Sequence, residues 1–189
     1  MCNEYRRLKD LTSFLDDPFS DLIPLVWAGG AVPNTPPQPS IRISDRGAIA
    51  RRAGDGLELT MTPWAWKGPN GAPVFNFRSE GRSFARSDRC LILADGFFEF
   101  TAPADPKAKR KDKQLFTLEG EPWFWIAGLV RDGAFTMLTT APGPDVAPYH
   151  NRQIVVLPPS GGLDWLDLSR PEAEVLRPLP AGSLRREPA

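Results

Sequence analysis

Cys2 is the residue with the most chemistry for its position. Once Met1 is removed, it carries a free α-amine and a thiol on neighbouring carbons, a 1,2-aminothiol. With reference pKa values of about 7.7–8.0 for the amine and about 8.5 for the thiol, a usable fraction of each is nucleophilic near neutrality. An aldehyde would condense with the amine as a Schiff base, and the thiol would then close a five-membered thiazolidine. Taken alone, a cysteine at position 2 is more often incidental. Glu99 stands among aromatics in Phe97-Phe98-Glu99-Phe100. Its strand pattern favours an exposed face, the alternative being a carboxylate held in a site. His150 is the single histidine of the chain, in Tyr149-His150-Asn151-Arg152. By itself it reads as a surface loop residue. A polar loop over 101–113 carries Lys107, Lys109, Arg110, Lys111 and Lys113. Such a run is ordinarily solvated, and its sharper reading is phosphate contact.

The elements that must position these residues are mostly strands. Residues 5–15 are the exception: Tyr5, Leu8, Leu11 and Leu15 recur three or four apart, which predicts an amphipathic helix ended by Pro18. Residues 31–40 hold Pro33, Pro36, Pro37 and Pro39 and must be extended. Strands are expected over 41–44, 48–52 and 57–62, the last running into Pro63-Trp64-Ala65-Trp66. Residues 83–88 read as a short helix. Arg89-Cys90-Leu91-Ile92-Leu93-Ala94 reads as an apolar strand, with Asp95-Gly96 a tight turn into its hairpin partner, 97–100. Residues 114–118, 123–129 and 134–140 read as a three-strand meander, and 153–157 as a last strand. Residues 163–168 suggest a short helix anchored by Trp165. The tail from Arg170 is rich in Pro and Arg and is expected to pack loosely.

At 189 residues, 41% of them hydrophobic, the chain suits one soluble domain with a real core. With 21 Pro and 16 Gly, it favours a turn-rich β fold over a helical bundle. A net charge of +0 leaves any polyanion site to a local patch. Two cysteines, Cys2 and Cys90, make neither a disulfide framework nor a metal-ligand spacing, so no cofactor or metal is expected. No apolar run suits a bilayer span or a signal peptide, and a reducing cytoplasm is the expected location.

Read in order, Met1-Cys2, Pro36-Pro37-Gln38-Pro39, Trp64, Asn76-Phe77-Arg78-Ser79-Glu80, the run from Arg89 through Asp95-Gly96 to Phe100, Ala127-Gly128-Leu129, Thr139-Thr140-Ala141-Pro142 and His150-Asn151-Arg152 form an ordered set. That set resembles the SOS-response-associated peptidase (SRAP) family, the abasic-site processing proteins. The resemblance implies an α+β fold: one β-rich domain over 1–170, mostly antiparallel twisted sheet, partly barrel-like, with a few flanking helices and a tail at 171–189. It implies self-removal of Met1 and covalent cross-linking of Cys2 to abasic sites in single-stranded DNA, with possible lyase activity. The open abasic sugar is an aldehyde, the partner a 1,2-aminothiol requires.

On that resemblance Asn76 holds Cys2 and donates to a sugar oxygen. Glu99 is the catalytic carboxyl, its pKa raised by its aromatic setting, and His150 is a proton shuttle. Arg78 and Arg152 neutralise phosphates, Pro39 lies on the DNA-binding segment, and Trp64 offers a face to a base, the alternative for Trp64 and Trp66 being core packing. The partner is abasic single-stranded DNA, with no membrane and a monomeric protein. Two departures stand out: Asn3-Glu4 follows Cys2 where many members carry Gly-Arg, and Gln153 replaces a methionine. Glu4 would repel a phosphate unless Arg6 or Arg7 compensates. Cys90 reads as a buried small hydrophobe. Two rival readings remain: a cysteine peptidase acting on other proteins through Cys2 and His150, and a non-enzymatic single-strand-binding module.

Overall fold

Alternation along the central strands explains the architecture. In the run Arg89–Ala94, Cys90, Ile92 and Ala94 face one apolar cluster while Leu91 and Leu93 face another. The strand Phe124–Arg131 does the same, with Phe124 and Ile126 on one side and Trp125 and Ala127 on the other. Strands covered on both faces read as continuous apolar runs rather than as alternating ones.

The structure, a computed structural model, describes residues 2–103, 107 and 110–189. In chain order the elements are β1 (Glu4–Arg7), α1 (Leu11–Phe14), β2 (Leu25–Trp27), β3 (Gln38–Arg42), β4 (Arg46–Ala53), β5 (Gly56–Pro63), β6 (Trp66–Lys67), β7 (Pro73–Val74), β8 (Asn76–Arg78) and β9 (Arg89–Ala94). They continue with β10 (Gly96–Thr101), β11 (Asp112–Leu118), β12 (Phe124–Arg131), β13 (Ala134–Thr140), β14 (Gln153–Ile154), β15 (Val156–Leu157), α2 (Gly162–Asp167), α3 (Glu172–Val175) and β16 (Leu184–Pro188). One sheet has the order β16-β11-β10-β1-β3 and is antiparallel throughout. The second runs β14-β13-β12-β9-β4-β5-β2, with β8 parallel to β13 and β2 parallel to β5. The fold is thus β-rich with a few short helices. Neither sheet closes on itself, so the expected partial barrel is two open, mixed and antiparallel sheets.

Several sequence expectations give way here. Residues 5–15 are a strand and one helical turn, not an amphipathic helix. Tyr5 and Arg7, two apart, are both fully buried, the spacing of a strand face. Arg7 tolerates burial because its guanidinium donates to the carbonyls of Lys9 (2.6 Å) and Pro36 (2.8 Å) and to Gln38 Oε1 (3.1 Å). Asp95-Gly96 is not a hairpin turn. β9 pairs with β12 and β4, β10 pairs with β1 and β11, and the chain crosses between sheets at Asp95. The Asp95 carboxylate binds Arg6 Nε at 2.6 Å and accepts from the main-chain N–H groups of Leu8 and Lys9. A Cβ at Gly96 would sit 2.7 Å from Leu115 Cδ1, so this glycine serves close approach.

The meander divides in the same way: β12 pairs with β13, while β11 lies in the other sheet. Residues 153–157 split into β14 and β15, and 83–88 form turns rather than a helix. The tail is not loose. Val175, Leu176 and Leu184 are buried, and β16 pairs with β11 from Gln114↔Pro188 to Leu118↔Leu184. The helix at Trp165 stands as expected, its indole buried and donating to the Cys90 carbonyl at 3.1 Å. Cys90 is buried, as its apolar strand implies.

Candidate active site

Cys2 lies two residues ahead of β1, an interior strand of the first sheet. Tyr5 lies opposite Phe97 on one side and Ile41 on the other, so the residues ahead of β1 run alongside 98–100 of β10. The close fit of Tyr5 depends on Gly47, where a Cβ would fall 1.8 Å from the tyrosine hydroxyl. Cys2 is 1% exposed, and its thiol donates to the Glu4 carbonyl at 3.2 Å. Burial, reinforced by the nearby Glu99 carboxylate, pushes this thiol far above the usual cysteine range. The free-solution fraction of thiolate inferred from sequence therefore does not apply, and sulfur becomes a nucleophile only when a neighbour takes its proton.

Asn76, Glu99 and His150 arrive from three separate elements. Asn76 opens β8, which is fixed in register against β13 with Asn76 opposite Met137. Its Nδ2 donates to the Cys2 carbonyl at 2.7 Å. Its Oδ1 is buried without a hydrogen-bond partner, and so remains able to accept from an incoming group. Glu99 is fully buried on β10 and shares the inward face of Phe97. The exposed-face reading of Glu99 is thus overturned. Burial raises its carboxyl from 4.5 to about 7.

His150 sits after a helical turn closed by its N–H to the Val146 carbonyl at 3.0 Å. Its Nε2 is 3.8 Å from Glu99 Oε2, and its Nδ1 is 3.0 Å from both the N–H and the carbonyl of Arg152. The Arg152 N–H can only donate and its carbonyl can only accept, so Nδ1 can take either role: as acceptor it leaves the neutral ring's proton on Nε2, towards Glu99, and as donor to the carbonyl it leaves Nε2 without one. Partial burial lowers the His150 pKa, with Lys111 acting the same way. His150 is therefore no free surface histidine. Glu99 and His150, with Asn3, Phe100 and Lys111, line a cavity of about 270 Å³, room for a sugar-sized group.

The DNA-contact candidates fare unevenly. Arg78 is exposed on β8 and makes no ion pair among the described residues. Pro39 is exposed on β3. Trp64 offers no stacking face: it is fully buried, lies parallel to Phe135 at 6.2 Å, and donates from Nε1 to the Phe75 carbonyl at 2.9 Å. Trp66 is buried in the other apolar cluster. Two residues apart would share a strand face, but Ala65 between them adopts φ 82°, which turns the chain over. Arg152 forms a two-point ion pair with Glu80 and donates to Thr139 Oγ1 at 2.9 Å, leaving its side chain 12% exposed. A phosphate at this guanidinium would have to compete with the Glu80 carboxylate.

Glu4, expected to repel phosphate, is buried and paired with Lys113 (2.6 Å) and Ser40 (2.7 Å). Neither Arg6 nor Arg7 compensates for it. Arg6 serves Asp95, and Arg7 fastens the proline-rich segment. Gln153 has a structural account: buried, it accepts from the Gly143 N–H at 2.6 Å and staples the loop carrying His150. Of the lysine run, Lys111 reaches the cavity, whereas Lys109 lies outside the described residues, as does Met1. The sequence reading assigned no role to Glu80, although period-2 alternation from Asn76 through Arg78 marks it. Among the described residues no cluster of His, Cys, Asp and Glu is arranged to hold a metal, and no helix is long and apolar enough to cross a membrane.

Solved structures share this architecture. A phage-related protein of Bordetella bronchiseptica superposes with a TM-score of 0.71 over 100% of this chain and 94% of its own, at 23% identity. A protein of Bacteroides thetaiotaomicron gives 0.72 over 99% and 91%, at 16% identity. The two sheets and their crossing strands therefore define a recurrent fold. Within it, the profile of the SOS response associated peptidase (SRAP) family matches residues 34–188, and the chain belongs to that family. Abasic site processing protein YoqW of Bacillus subtilis (strain 168), and its counterpart in Bacillus phage SPbeta, are 31% identical over 134 residues. That match covers 63% of this chain and 59% of the relatives' own length.

Proposed function

We propose that this protein processes abasic sites in single-stranded DNA, forming a covalent cross-link through Cys2 after Met1 is removed by the protein itself. The observation that carries the reading is the meeting of Cys2, Asn76, Glu99 and His150 from four separate stretches of chain: Asn76 holds the Cys2 carbonyl, the Glu99 carboxylate lies near the Cys2 thiol, and Glu99 and His150 line the adjoining sugar-sized cavity. The YoqW relatives are named as abasic site processing proteins, which supports the abasic-site part of the reading.

The amine of Cys2 attacks the aldehyde carbon of the opened abasic sugar, and the resulting carbinolamine loses water to give an imine. Glu99, raised to about 7, is present in both acid and base forms near neutrality, so it can protonate the leaving hydroxyl and then accept a proton. The thiol then adds to the imine carbon: an S–C bond forms, the C=N π pair goes to nitrogen, and the sulfur proton is relayed to that nitrogen. Because burial suppresses the thiolate, this relay governs ring closure, and His150 beside Glu99 completes it. Asn76 orients Cys2 through its carbonyl and presents Oδ1 to a sugar hydroxyl. Arg78, Pro39 and Lys111 supply the strand-facing surface, with Arg78 and Lys111 meeting phosphates.

Incubation with abasic and intact single-stranded oligonucleotides, followed by a denaturing gel, tests the reading. A slow-migrating adduct with the abasic strand alone supports it; none, from protein shown by mass spectrometry to lack Met1, refutes it.

A further inference from the structure

The chemistry of Cys2, Glu99 and His150 leaves unexplained why both Nη atoms of Arg152 are held, by Glu80 and Thr139. Glu80 follows β8 and grips Arg152 at two points, one of them Nη2 to Oε2 at 2.9 Å. Thr139 Oγ1, on β13, accepts a further bond from Nη2 at 2.9 Å. The Arg152 side chain is thereby tied to β8 and β13, which are in register with each other through Arg78 and Thr139. The main chain of Arg152 in turn touches the imidazole, its N–H and its carbonyl each 3.0 Å from Nδ1. The opposite ring nitrogen faces Glu99.

We propose that Glu80 is a positioning residue for His150, acting through Arg152. Two-point carboxylate–guanidinium pairs fix orientation as well as distance. Fixing the Arg152 side chain fixes the peptide groups on either side of its Cα. Of the two tautomers those groups allow, the one with Nδ1 as acceptor puts Nε2–H towards the Glu99 carboxyl, and the grip holds the ring in that one. The carboxyl of Glu80 is held down to about 2 by Arg152, so the grip persists across the working pH range. The alternative role for the same contacts is competition: a carboxylate occupying the fork that a phosphate would otherwise take. The proposal deepens the cross-linking reading and rests on it for the rate measurement below, but not for the spectroscopic one.

The test uses the fact that the chain has one histidine, so its ring signals need no assignment by mutation. Two-bond proton–nitrogen spectra at about pH 8, where an imidazole is neutral, report the tautomer of that ring. In wild type the two ring-nitrogen shifts should lie far apart, at the limit for an Nε2–H tautomer. In Glu80→Gln and Glu80→Ala they should move towards each other as the ring samples both forms, and Glu80→Asp should restore part of the separation. The Glu80 side chain is 45% exposed, so these variants keep the fold.

In single-turnover cross-linking, the saturated rate of Glu80→Gln should fall about tenfold, part of the roughly 10²–10⁴ that positioned acid–base groups contribute. The oligonucleotide concentration at half-saturation should not change. Unchanged ring shifts in Glu80→Ala, or a wild-type ring that is already a mixture, overturn the proposal whatever the cross-linking result. A lower half-saturating concentration with an unchanged saturated rate also overturns it, in favour of competition with phosphate. Failure of wild type to cross-link would sink the DNA reading alone, because the ring measurement decides the positioning role separately.

Discussion

Replacing Glu99 by glutamine removes one ionisation and little else, and the structure sets the size of the consequence. Full burial lifts the carboxyl from 4.5 to about 7. At about 1.36 kcal/mol per tenfold change in proton affinity, that rise corresponds to about 3 kcal/mol. The folded-state pKa lies above the unfolded one, so the favourable contribution is complete below about pH 4.5 and is lost as pH rises through about 7. Wild type should therefore lose about 3 kcal/mol relative to Glu99→Gln between pH 4.5 and pH 8. Urea unfolding over that range measures it. With a slope of about 3 kcal/mol per molar urea, the midpoint of wild type should fall by about 1 M against the variant. If the two midpoints run parallel across the range, Glu99 does not titrate near neutrality, and its role as acid and base is refuted.

Three further outcomes follow from the same geometry. Trp64→Ala should cost about 3–5 kcal/mol of stability because it empties a fully buried site against Phe135 and Tyr5; unfolding midpoints check this, and an unchanged midpoint would contradict core packing. Arg78→Glu should weaken binding to intact and abasic single strands alike and flatten the dependence of affinity on salt, measured by fluorescence anisotropy; an unchanged slope would remove Arg78 from the phosphates. Asn76→Ala should slow cross-link formation without weakening the finished adduct, since its bond to the Cys2 carbonyl orients the nucleophile; gel time courses and adduct half-lives separate the two.

How much of this was legible in sequence depended on whether a residue's meaning was local. The apolar run at Arg89–Ala94 and the Trp165 helix were readable because their periodicity reports burial directly. Leu8, Leu11 and Leu15 carry a helical spacing, yet only Leu11–Phe14 is helical, because Glu4–Arg7 is a strand between β10 and β3, a partnership no local pattern encodes. The strand pattern alone favours an exposed Glu99 because aromatics stand on both strand faces, Phe97 on one and Phe98 on the other, so alternation cannot say which face is interior; the catalytic reading comes from the resemblance. Asp95-Gly96 has the composition of a turn, but its carboxylate serves N–H groups of a segment 86 and 87 residues earlier. Sequence leaves Trp64 between a stacking face and the core because it does not reveal the reversal at Ala65. Cys2 and His150 were legible as chemistry, whereas their enclosure, and the shift of the thiol away from easy ionisation, required the fold.

The central claim is that the thiol of Cys2 locks an imine formed by its own amine. Cys2→Ser keeps the amine and offers a hydroxyl whose oxazolidine is less stable than a thiazolidine. With Met1 shown by mass spectrometry to be absent, the serine protein should form no durable adduct with an abasic oligonucleotide, yet should be trapped on it by borohydride. Its unprotected imine should also promote strand cleavage by β-elimination, because it acidifies the adjacent carbon. A durable adduct from the processed serine protein without reductant would show that sulfur is not the locking group.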